Sequence, residues 1–234
     1  MHRYSAGMQR IVIAFVGVKG GLGKSTLAFS LAVAYRQRGY RVLLIDLDDQ
    51  QRALLKWSES AAELGVTDSP PVVAMGDNLR AQFDEITQGY DVVIIDTAGK
   101  LGKRTAHALG KATIGLMPCG PDGIQIASMP ETFEAVLDVQ AVRPDLLANI
   151  VLCQRDLREV ASRELRKTFD EAPFECLDVE LDYASDYDKS FRAGVGPTSW
   201  NSKSKAARDV NLLADELERR LGMTRKKERI ARGL

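Results

Sequence analysis

The chain has 234 residues, of which 45% are hydrophobic, and this size suits one large α/β domain with a full core. Lysine plus arginine equals aspartate plus glutamate at 32 each, so any nucleic-acid binding has to come from a local patch rather than from overall charge. The longest apolar run, 11–18, is far shorter than the ~20 residues of a membrane span, and the first ten residues lack the pattern of a signal peptide. We therefore expect a cytoplasmic protein with no membrane partner.

Short β-branched runs alternate with helical patterns through most of the chain, which is typical of βαβ units around a parallel sheet. Strands are predicted at 10–16, 41–47, 71–75, 91–96, 112–118, 147–153 and 174–179. Helices are predicted in the segment STLAFSLAVAYRQRG, which begins at Ser25, and at 51–64, 79–88, 123–140, 159–169 and 199–221. The pattern predicts an α/β fold with a doubly wound, mostly parallel sheet and helices on both faces.

The segment FVGVKGGLGKST lies between the first predicted strand and the first predicted helix, which is the context of a phosphate-binding loop. Its glycines allow backbone N–H groups to face a polyphosphate, and the helix N-terminus adds its positive dipole end. Lys24 is placed to neutralise the β- and γ-phosphates, Ser25 to bind Mg²⁺ and Thr26 to bond the α-phosphate. The predicted nucleotide-binding residues are Lys19, Gly20, Gly21, Leu22, Gly23, Lys24, Ser25 and Thr26.

Carboxylates follow the next two central strands. LLIDLDDQ carries Asp46, Asp48 and Asp49, and YDVVIIDTAG ends an apolar run with Asp96. Since the carboxyl ends of parallel strands line one crevice, we expect these side chains beside the phosphate loop. Asp46 and Asp48 share one side of an extended chain, so one can reach the metal and the other can orient an attacking water. Asp96 fits a Walker B position, where the carboxylate binds Mg²⁺ directly or through water.

These segments resemble a known family. KGGLGKST is similar to the deviant Walker A loop, KGGxGK[ST], of the ParA and MinD group of P-loop ATPases, and LLIDLDDQ resembles that group's LLxDLDPQ. The resemblance implies that Lys19 is the signature lysine, which reaches the nucleotide of a dimer partner. It also implies that Lys24 and Asp48 are catalytic, with Asp48 positioning the hydrolytic water. Ser25, Asp46 and Asp96 then correspond to the Mg²⁺ and switch region.

The family resemblance implies more about the whole protein. It implies a Mg²⁺-dependent ATPase that forms a homodimer with ATP and is stimulated by a ParB-like or other adaptor protein. The expected organisation is a disordered N-terminus at 1–9, a single P-loop ATPase domain at 10–221 and a basic tail at 222–234. Two departures concern the switch region: Asp49 replaces the proline after DLD, and DTAG replaces DxPP.

No helix-turn-helix extension precedes the first strand, so the chain resembles the short partition ATPases, which bind DNA nonspecifically, associate with the nucleoid and segregate plasmid or chromosome DNA. The region 199–234 has ten Lys or Arg against five acids, a cluster that could bind phosphates. Candidate DNA-binding residues are Arg192, Lys203, Lys205 and Arg208. A solvated helix face with a basic tail is the simpler interpretation of the same cluster.

Three alternatives stay open within this family. One is a positioning ATPase for a protein cargo, such as a chemoreceptor cluster or a microcompartment. Another is a MinD-like membrane-associated ATPase, which the tail disfavours because it offers only Ile230 and Leu234 as apolar anchors after Met223. The third is a reductase with paired cysteines, whereas Cys119 and Cys153 fit buried free thiols. No base-reading motif distinguishes ATP from GTP.

Overall fold

The structure is a computed structural model that describes residues 10–18, 23–67, 69–156 and 158–224. The described residues form one sheet of six strands in the order β3-β2-β4-β1-β5-β6, and every neighbouring pair is parallel. The strands are β1 (Ile11–Phe15), β2 (Val42–Asp46), β3 (Val72–Ala74), β4 (Val92–Asp96), β5 (Ile114–Cys119) and β6 (Leu147–Leu152). The predicted fold class is confirmed.

Ten α-helices and one 3-10 helix at Leu165–Phe169 connect and follow the strands in the described part of the chain. The helices are α1 (Lys24–Gln37), α2 (Ala53–Glu63), α3 (Leu79–Ile86), α4 (Lys103–Lys111), α5 (Gly123–Ala127), α6 (Met129–Gln140), α7 (Val160–Glu164), α8 (Asp186–Arg192), α9 (Pro197–Trp200) and α10 (Lys205–Arg220). None of the described helices is long and apolar enough to cross a bilayer.

The sheet is buried on both faces because alternate residues of each strand enter different clusters. In β1, Ile13 packs in the cluster that holds α1, α2 and α10, whereas Ala14 packs in the cluster that holds α3, α4 and α6. All five residues of β1, β2 and β4 are buried. These three strands therefore form a rigid central platform, and their carboxyl ends position the functional site.

The predicted strand at 174–179 is wrong, since this segment makes only an isolated bridge between Ile150 and Cys176. The N–H of Leu177 donates to the carbonyl of Ile150, and the N–H of Leu181 donates to the carbonyl of Leu152. Between these two hydrogen bonds the chain advances four residues, from Leu177 to Leu181, while β6 advances only two, from Ile150 to Leu152. The surplus residues bulge out of the ladder, so a continuous strand cannot form.

Several predicted helices differ from those observed. The helix predicted at 123–140 is two helices, separated at Ser128. Pro130 has no N–H to donate within a continuous helix, and it stands instead in the first turn of α6, where that N–H is not needed. The prediction at 199–221 is two helices, and α10 begins after Ser204, whose hydroxyl accepts from the N–H of Ala207. Helices α4 and α8 were not predicted. The predicted segment 1–9 lies outside the described residues, as do residues 225–234 of the tail.

Candidate functional site

The strands that flank β1 define where a ligand can bind. β1 lies between β4 and β5. The connection after β1 leads to β2 toward one edge of the sheet, the connection after β5 leads to β6 at the other edge, and such a reversal opens a crevice at the carboxyl ends of the strands. Asp46 ends β2 and Asp96 ends β4, and the two are direct neighbours in strand register. Leu44 and Ile94, two residues earlier, pack in the cluster of α1. By alternation, both carboxylates lie on the α1 side of the sheet.

Asp96 meets the first turn of α1. The hydroxyl of Ser25 donates to Asp96 Oδ2 at 2.5 Å, while Asp96 Oδ1 is buried without a hydrogen-bond partner among the described residues. Asp96 is only 1% exposed, and this burial raises its pKa to about 7, an effect that the Ser25 hydrogen bond and Lys24 partly oppose. The site therefore contains a buried carboxylate oxygen that accepts no hydrogen bond from the described residues.

Lys24 is the first residue of α1 and lies beneath the same crevice. Its side chain is 6% exposed, and its Nζ donates to the carbonyl of Gly17 at 3.3 Å. Burial lowers the pKa of Lys24, whereas the charges of Asp96 and Asp48 raise it. A polyanion in the crevice would favour the charged form of this lysine and gain a strong electrostatic partner.

The two carboxylates of the DLD segment have different local roles. Asp46 Oδ1 accepts from the N–H of Asp48 at 3.0 Å, and its Oδ2 accepts from Leu54 at 3.1 Å, in the first turn of α2. Asp46 is thus a buried cap for α2, and burial raises its pKa. Asp48 is half-buried, and its Oδ1 accepts from the N–H groups of Gln50 and Gln51. Asp48 faces the cavity described below, as a water-positioning residue must.

The phosphate loop is described from Gly23 onward. Gly23 has φ +79°, a left-handed conformation that favours glycine, and its carbonyl accepts from the N–H of Leu27. The turn therefore requires this glycine immediately before α1. Lys19, Gly20, Gly21 and Leu22 lie outside the described residues, so their predicted roles stay predictions.

A cavity of about 450 Å³ opens above this turn. The cavity is lined by the predicted residues Gly23, Lys24, Ser25, Thr26 and Asp48. It is also lined by residues that were not predicted: Gln154, Leu181, Asp182, Tyr183, Ala184, Tyr187 and Phe191. The volume is that of an ordinary small-ligand site. Gln154 could have been found from the strand rule, because it follows the carboxyl end of β6, but no sequence signal marks the segment 181–191.

Carboxylates of α10 hold the far wall of this cavity. Glu216 accepts from the N–H groups of Asp178 and Val179 at 2.9 and 2.8 Å, which satisfies the backbone of the bulged segment beside β6. Asp209 accepts from the N–H of Asp182 at 3.2 Å. Both carboxylates are buried, and Asp182 lines the cavity. The last described helix is therefore hydrogen-bonded to the wall of the ligand site.

The arrangement around Asp96 fits a bound Mg²⁺. Mg²⁺ prefers oxygen ligands and is held in proteins by one or two carboxylates together with substrate phosphates. Asp96 Oδ1 supplies a buried oxygen without a partner in the described chain, and the Ser25 hydroxyl lies on the same carboxylate. Asp46 is committed to backbone groups through both of its oxygens, so the geometry favours Ser25 and Asp96 over Asp46.

The four candidate DNA-binding residues do not form a free basic patch. Arg192 pairs with Asp188 at 3.0 Å, Lys205 with Asp182 at 2.6 Å, and Arg208 with Asp209 at 3.5 Å. Lys203 is exposed and has no acidic partner within the described ranges.

The charge excess of the C-terminal region lies mainly beyond the described residues. Segment 199–224 contains five basic and four acidic residues, whereas segment 225–234 contains five basic and one acidic residue. The net charge is thus +1 in the first segment and +4 in the second.

The three cysteines are free thiols, as expected, and Cys119 and Cys153 are buried. Burial raises the pKa of Cys119 to about 12, so this thiol is not a reactive thiolate at neutral pH.

A glycine turn after the central strand, with its lysine and hydroxyl beneath a cavity and a carboxylate opposite, defines a nucleotide-binding α/β protein with a phosphate loop. The chain belongs to the family of CobQ/CobB/MinD/ParA nucleotide-binding domains, whose model matches residues 13–197. The predicted membership in the ParA and MinD group is confirmed at this level.

Two relatives that match about nine tenths of the chain carry the same name. Maintenance of carboxysome distribution protein A from Halothiobacillus neapolitanus is 24% identical over 217 residues, which cover 91% of this chain and 98% of that protein. The protein of the same name from Gloeobacter kilaueensis is 28% identical over 215 residues, which cover 89% and 94% respectively.

Solved structures share the fold. Cobyrinic acid a,c-diamide synthase from Mycobacterium smegmatis with bound ADP and magnesium has a TM-score of 0.74 at 22% identity, covering 93% of this chain and 98% of that one. The septum site-determining protein MinD complexed with Mg-ADP from Pyrococcus horikoshii has a TM-score of 0.71 at 18% identity, covering 93% and 100%. At these identities the likeness shows the common architecture alone.

Proposed function

We propose that this protein is a Mg²⁺-dependent ATPase of the ParA and MinD type that positions a cargo by ATP-dependent dimerisation. The observation that carries the proposal is the contact of Ser25 with Asp96, whose second oxygen is buried without a partner in the described chain beside the cavity that contains Lys24. The ADP and magnesium in structures of the same fold support the choice of ligand.

The residues of this site divide the work of phosphoryl transfer. Lys24, whose charged form is disfavoured by its burial, holds the β- and γ-phosphates. Ser25 and Asp96 hold Mg²⁺, which neutralises charge on the phosphate oxygens when bound. Asp48 orients the attacking water by accepting its hydrogen bond from the open side of the cavity. The nucleoside is proposed to pack against Tyr187 and Phe191, two aromatic residues that line the same cavity.

Lys19 is proposed to act in trans, as the resemblance to the deviant loop implies. A lysine from a second subunit stabilises charge that develops on the γ-phosphate, so nucleotide binding and dimerisation become one event. Hydrolysis removes the γ-phosphate and with it the contact between the second subunit's lysine and the γ-phosphate, so the dimer dissociates. An adaptor protein that favours the hydrolytic state then sets the timing.

The relatives favour a protein cargo over a plasmid as the object that is moved. Two relatives that cover about nine tenths of the chain are named for carboxysome distribution, which supports the positioning alternative over DNA partition. Nonspecific DNA remains the proposed track, because the segment 225–234 has a net charge of +4 and each ATP dimer presents two such segments. The proposed location is therefore the nucleoid surface when ATP is bound.

The test is the Asp48→Ala variant with Mg²⁺ and ATP. Loss of the water-orienting carboxylate should lower turnover by roughly 10²-fold or more while nucleotide affinity is kept, so the dimer should accumulate. Turnover and sedimentation velocity in the same buffer measure both effects. Glu59→Ala, a change in the middle of α2, is the matched control and should behave as the wild type. Unchanged turnover in Asp48→Ala would remove Asp48 from the mechanism.

A further inference from the structure

One departure from the family pattern, Asp49, contacts the helix that follows the other departure, the DTAG loop. Asp49 stands at the proline position of that pattern, and Arg104 lies in α4, just after the DTAG loop that follows β4. Arg104 Nη1 pairs with Asp49 Oδ2, and Arg104 Nε donates to Asp77 Oδ1 at 2.8 Å. One guanidinium thus joins the turn after β2, the loop after β3 and the first turn of α4.

The turn after β2 carries Asp48, and its conformation depends on its surroundings. Arg52, at the end of this turn, has φ +47°, a conformation that side chains other than glycine rarely adopt. Its N–H donates to the carbonyl of Asp48, and its Nε donates to the carbonyl of Asp49 at 3.3 Å. A turn under this strain needs an external contact to keep one arrangement, and Asp49 supplies the contact with α4.

The location of the ion pair connects it to the nucleotide. A second cavity, of about 470 Å³, shares Asp48, Gln51 and Gly99 with the first and is also lined by Asp49 and Arg104. Asp48 therefore borders both the first cavity and the cavity that contains the Asp49–Arg104 pair. Lys24 and Ser25 line only the first cavity, and Asp49 and Arg104 line only the second.

The exposures of the partners argue for orientation rather than stability. The side chain of Asp77 is 85% exposed and that of Asp49 54%, whereas that of Arg104 is 32% exposed. Ion pairs this close to solvent contribute little to the free energy of unfolding. Their geometric effect is larger, because displacement of a reacting group by a fraction of its contact distance can change the rate strongly.

We propose that Arg104 is a positioning residue for hydrolysis, which acts through Asp49 to hold Asp48 at the γ-phosphate end of the site. This inference rests on the proposed ATPase function. It assigns a role to the Asp49 departure: the turn that carries Asp48 is joined by an ion pair to the helix that follows the DTAG loop.

The test compares Asp49→Asn and Arg104→Gln with the matched control Asp77→Asn, which removes the charge of the other carboxylate that pairs with the same guanidinium. We expect kcat to fall roughly tenfold in the first two variants, with the ATP dissociation constant and the thermal midpoint unchanged. The double variant should be no slower than either single one, because the two residues act as a unit. Asp77→Asn should remain within about twofold of the wild type, and Arg104→Lys should recover most of the loss because it keeps the charge.

A second measurement does not depend on hydrolysis. The amide hydrogens of Gln50 and Gln51, which Asp48 holds, should exchange faster in Asp49→Asn and Arg104→Gln than in Asp77→Asn, in protein without nucleotide. Unchanged exchange overturns the positioning role whatever the turnover. If exchange changes in the variants as expected but the wild type hydrolyses no ATP, the proposed function is wrong and the positioning contact still holds. Additive effects on kcat, or equal losses of stability and ATP affinity, also overturn the proposal.

Raising the salt concentration separates the ion pair from a neutral contact. The Debye length falls from about 10 Å at 0.1 M to about 3 Å at 1 M salt, so screening weakens an exposed pair. Exchange at Gln50 and Gln51 should rise with salt in the wild type and in Asp77→Asn. It should stay flat in Asp49→Asn, where the charge is already gone; an equal salt response in that variant contradicts the role of the pair.

Discussion

Asp96 is the residue whose environment differs most from that of an ordinary surface carboxylate. It is 1% exposed, one of its oxygens has no partner in the described chain, and its pKa is raised to about 7. A protein keeps such a group only where a ligand compensates for its burial. Ser25, which donates to the other oxygen, shows where that ligand has to sit.

The raised pKa of Asp96 has a direct consequence for stability. Between pH of about 4, where the unfolded chain releases the proton, and about 7, the folded protein holds one more proton, so this group makes the free energy of unfolding fall as the pH rises. Asp96→Asn removes that dependence. At pH of about 8 and without Mg²⁺, the variant should be more stable than the wild type by on the order of 2 kcal/mol.

Urea unfolding at several pH values measures the difference between the two proteins. The difference should shrink toward zero as the pH is lowered below about 4, because the wild-type carboxyl is then protonated in both states. The same variant should lose Mg²⁺-dependent turnover, since an amide binds Mg²⁺ poorly compared with a carboxylate. A variant that is less stable than the wild type at every pH would contradict the assignment of an uncompensated carboxylate.

At the scale of elements, the central strands could be predicted and the short helices could not. β1, β2 and β4 are buried throughout, so their β-branched runs stand out in the sequence. Helix α8 buries only Ser190, and α4 contains Gly110 and buries three residues, so neither gives a strong helical pattern. The segment 174–179 has the composition of a strand, but its pairing with β6 depends on the side-chain carboxylate of Glu216, which is distant in sequence.

The same division applies to the site. Lys24, Ser25, Asp48 and Asp96 follow from one motif and from the rule that strand ends converge. The ion pairs of Lys205 and Arg208 could not be predicted, because they depend on how α10 packs beside the segment that contains Asp182. Charge counted along a sequence therefore overstates the positive potential that a folded helix presents.

The C-terminal segment gives a prediction about DNA. Because the excess of positive charge lies at 225–234, neutralising Arg225, Lys226 and Lys227 to glutamine should weaken retention on DNA of any sequence more than neutralising Lys203, Lys205 and Arg208. The slope of the logarithm of affinity against that of salt should fall by about 0.9 for each phosphate that the variant no longer neutralises. Fluorescence anisotropy with ATP at several salt concentrations measures both variants. Equal retention by the tail variant and the wild type would place the DNA-binding surface elsewhere.

At the scale of the whole molecule, the proposed mechanism needs two copies of the chain. Lys19→Ala should bind ATP as a monomer with nearly wild-type affinity but should weaken ATP-dependent dimerisation by at least about tenfold, or 1.4 kcal/mol. Lys24→Ala is the control, and it should lose nucleotide binding itself because this buried lysine lies in the crevice. Analytical ultracentrifugation with a non-hydrolysable ATP analogue separates the two. A dimer of normal affinity in Lys19→Ala would exclude the role in trans.

The carboxylates of α10 that hold the cavity wall have a thermodynamic consequence for the molecule. Asp209 and Glu216 accept hydrogen bonds from the backbone of 178–182, so a movement of α10 is coupled to a movement of that wall. If DNA bound near the end of α10 changes the affinity for nucleotide by some factor, nucleotide must change the affinity for DNA by the same factor. Because the proposed DNA-bound form is the one that holds ATP, DNA would in turn raise the affinity for ATP, and the strength of that coupling would depend on two buried acids rather than on the phosphate loop.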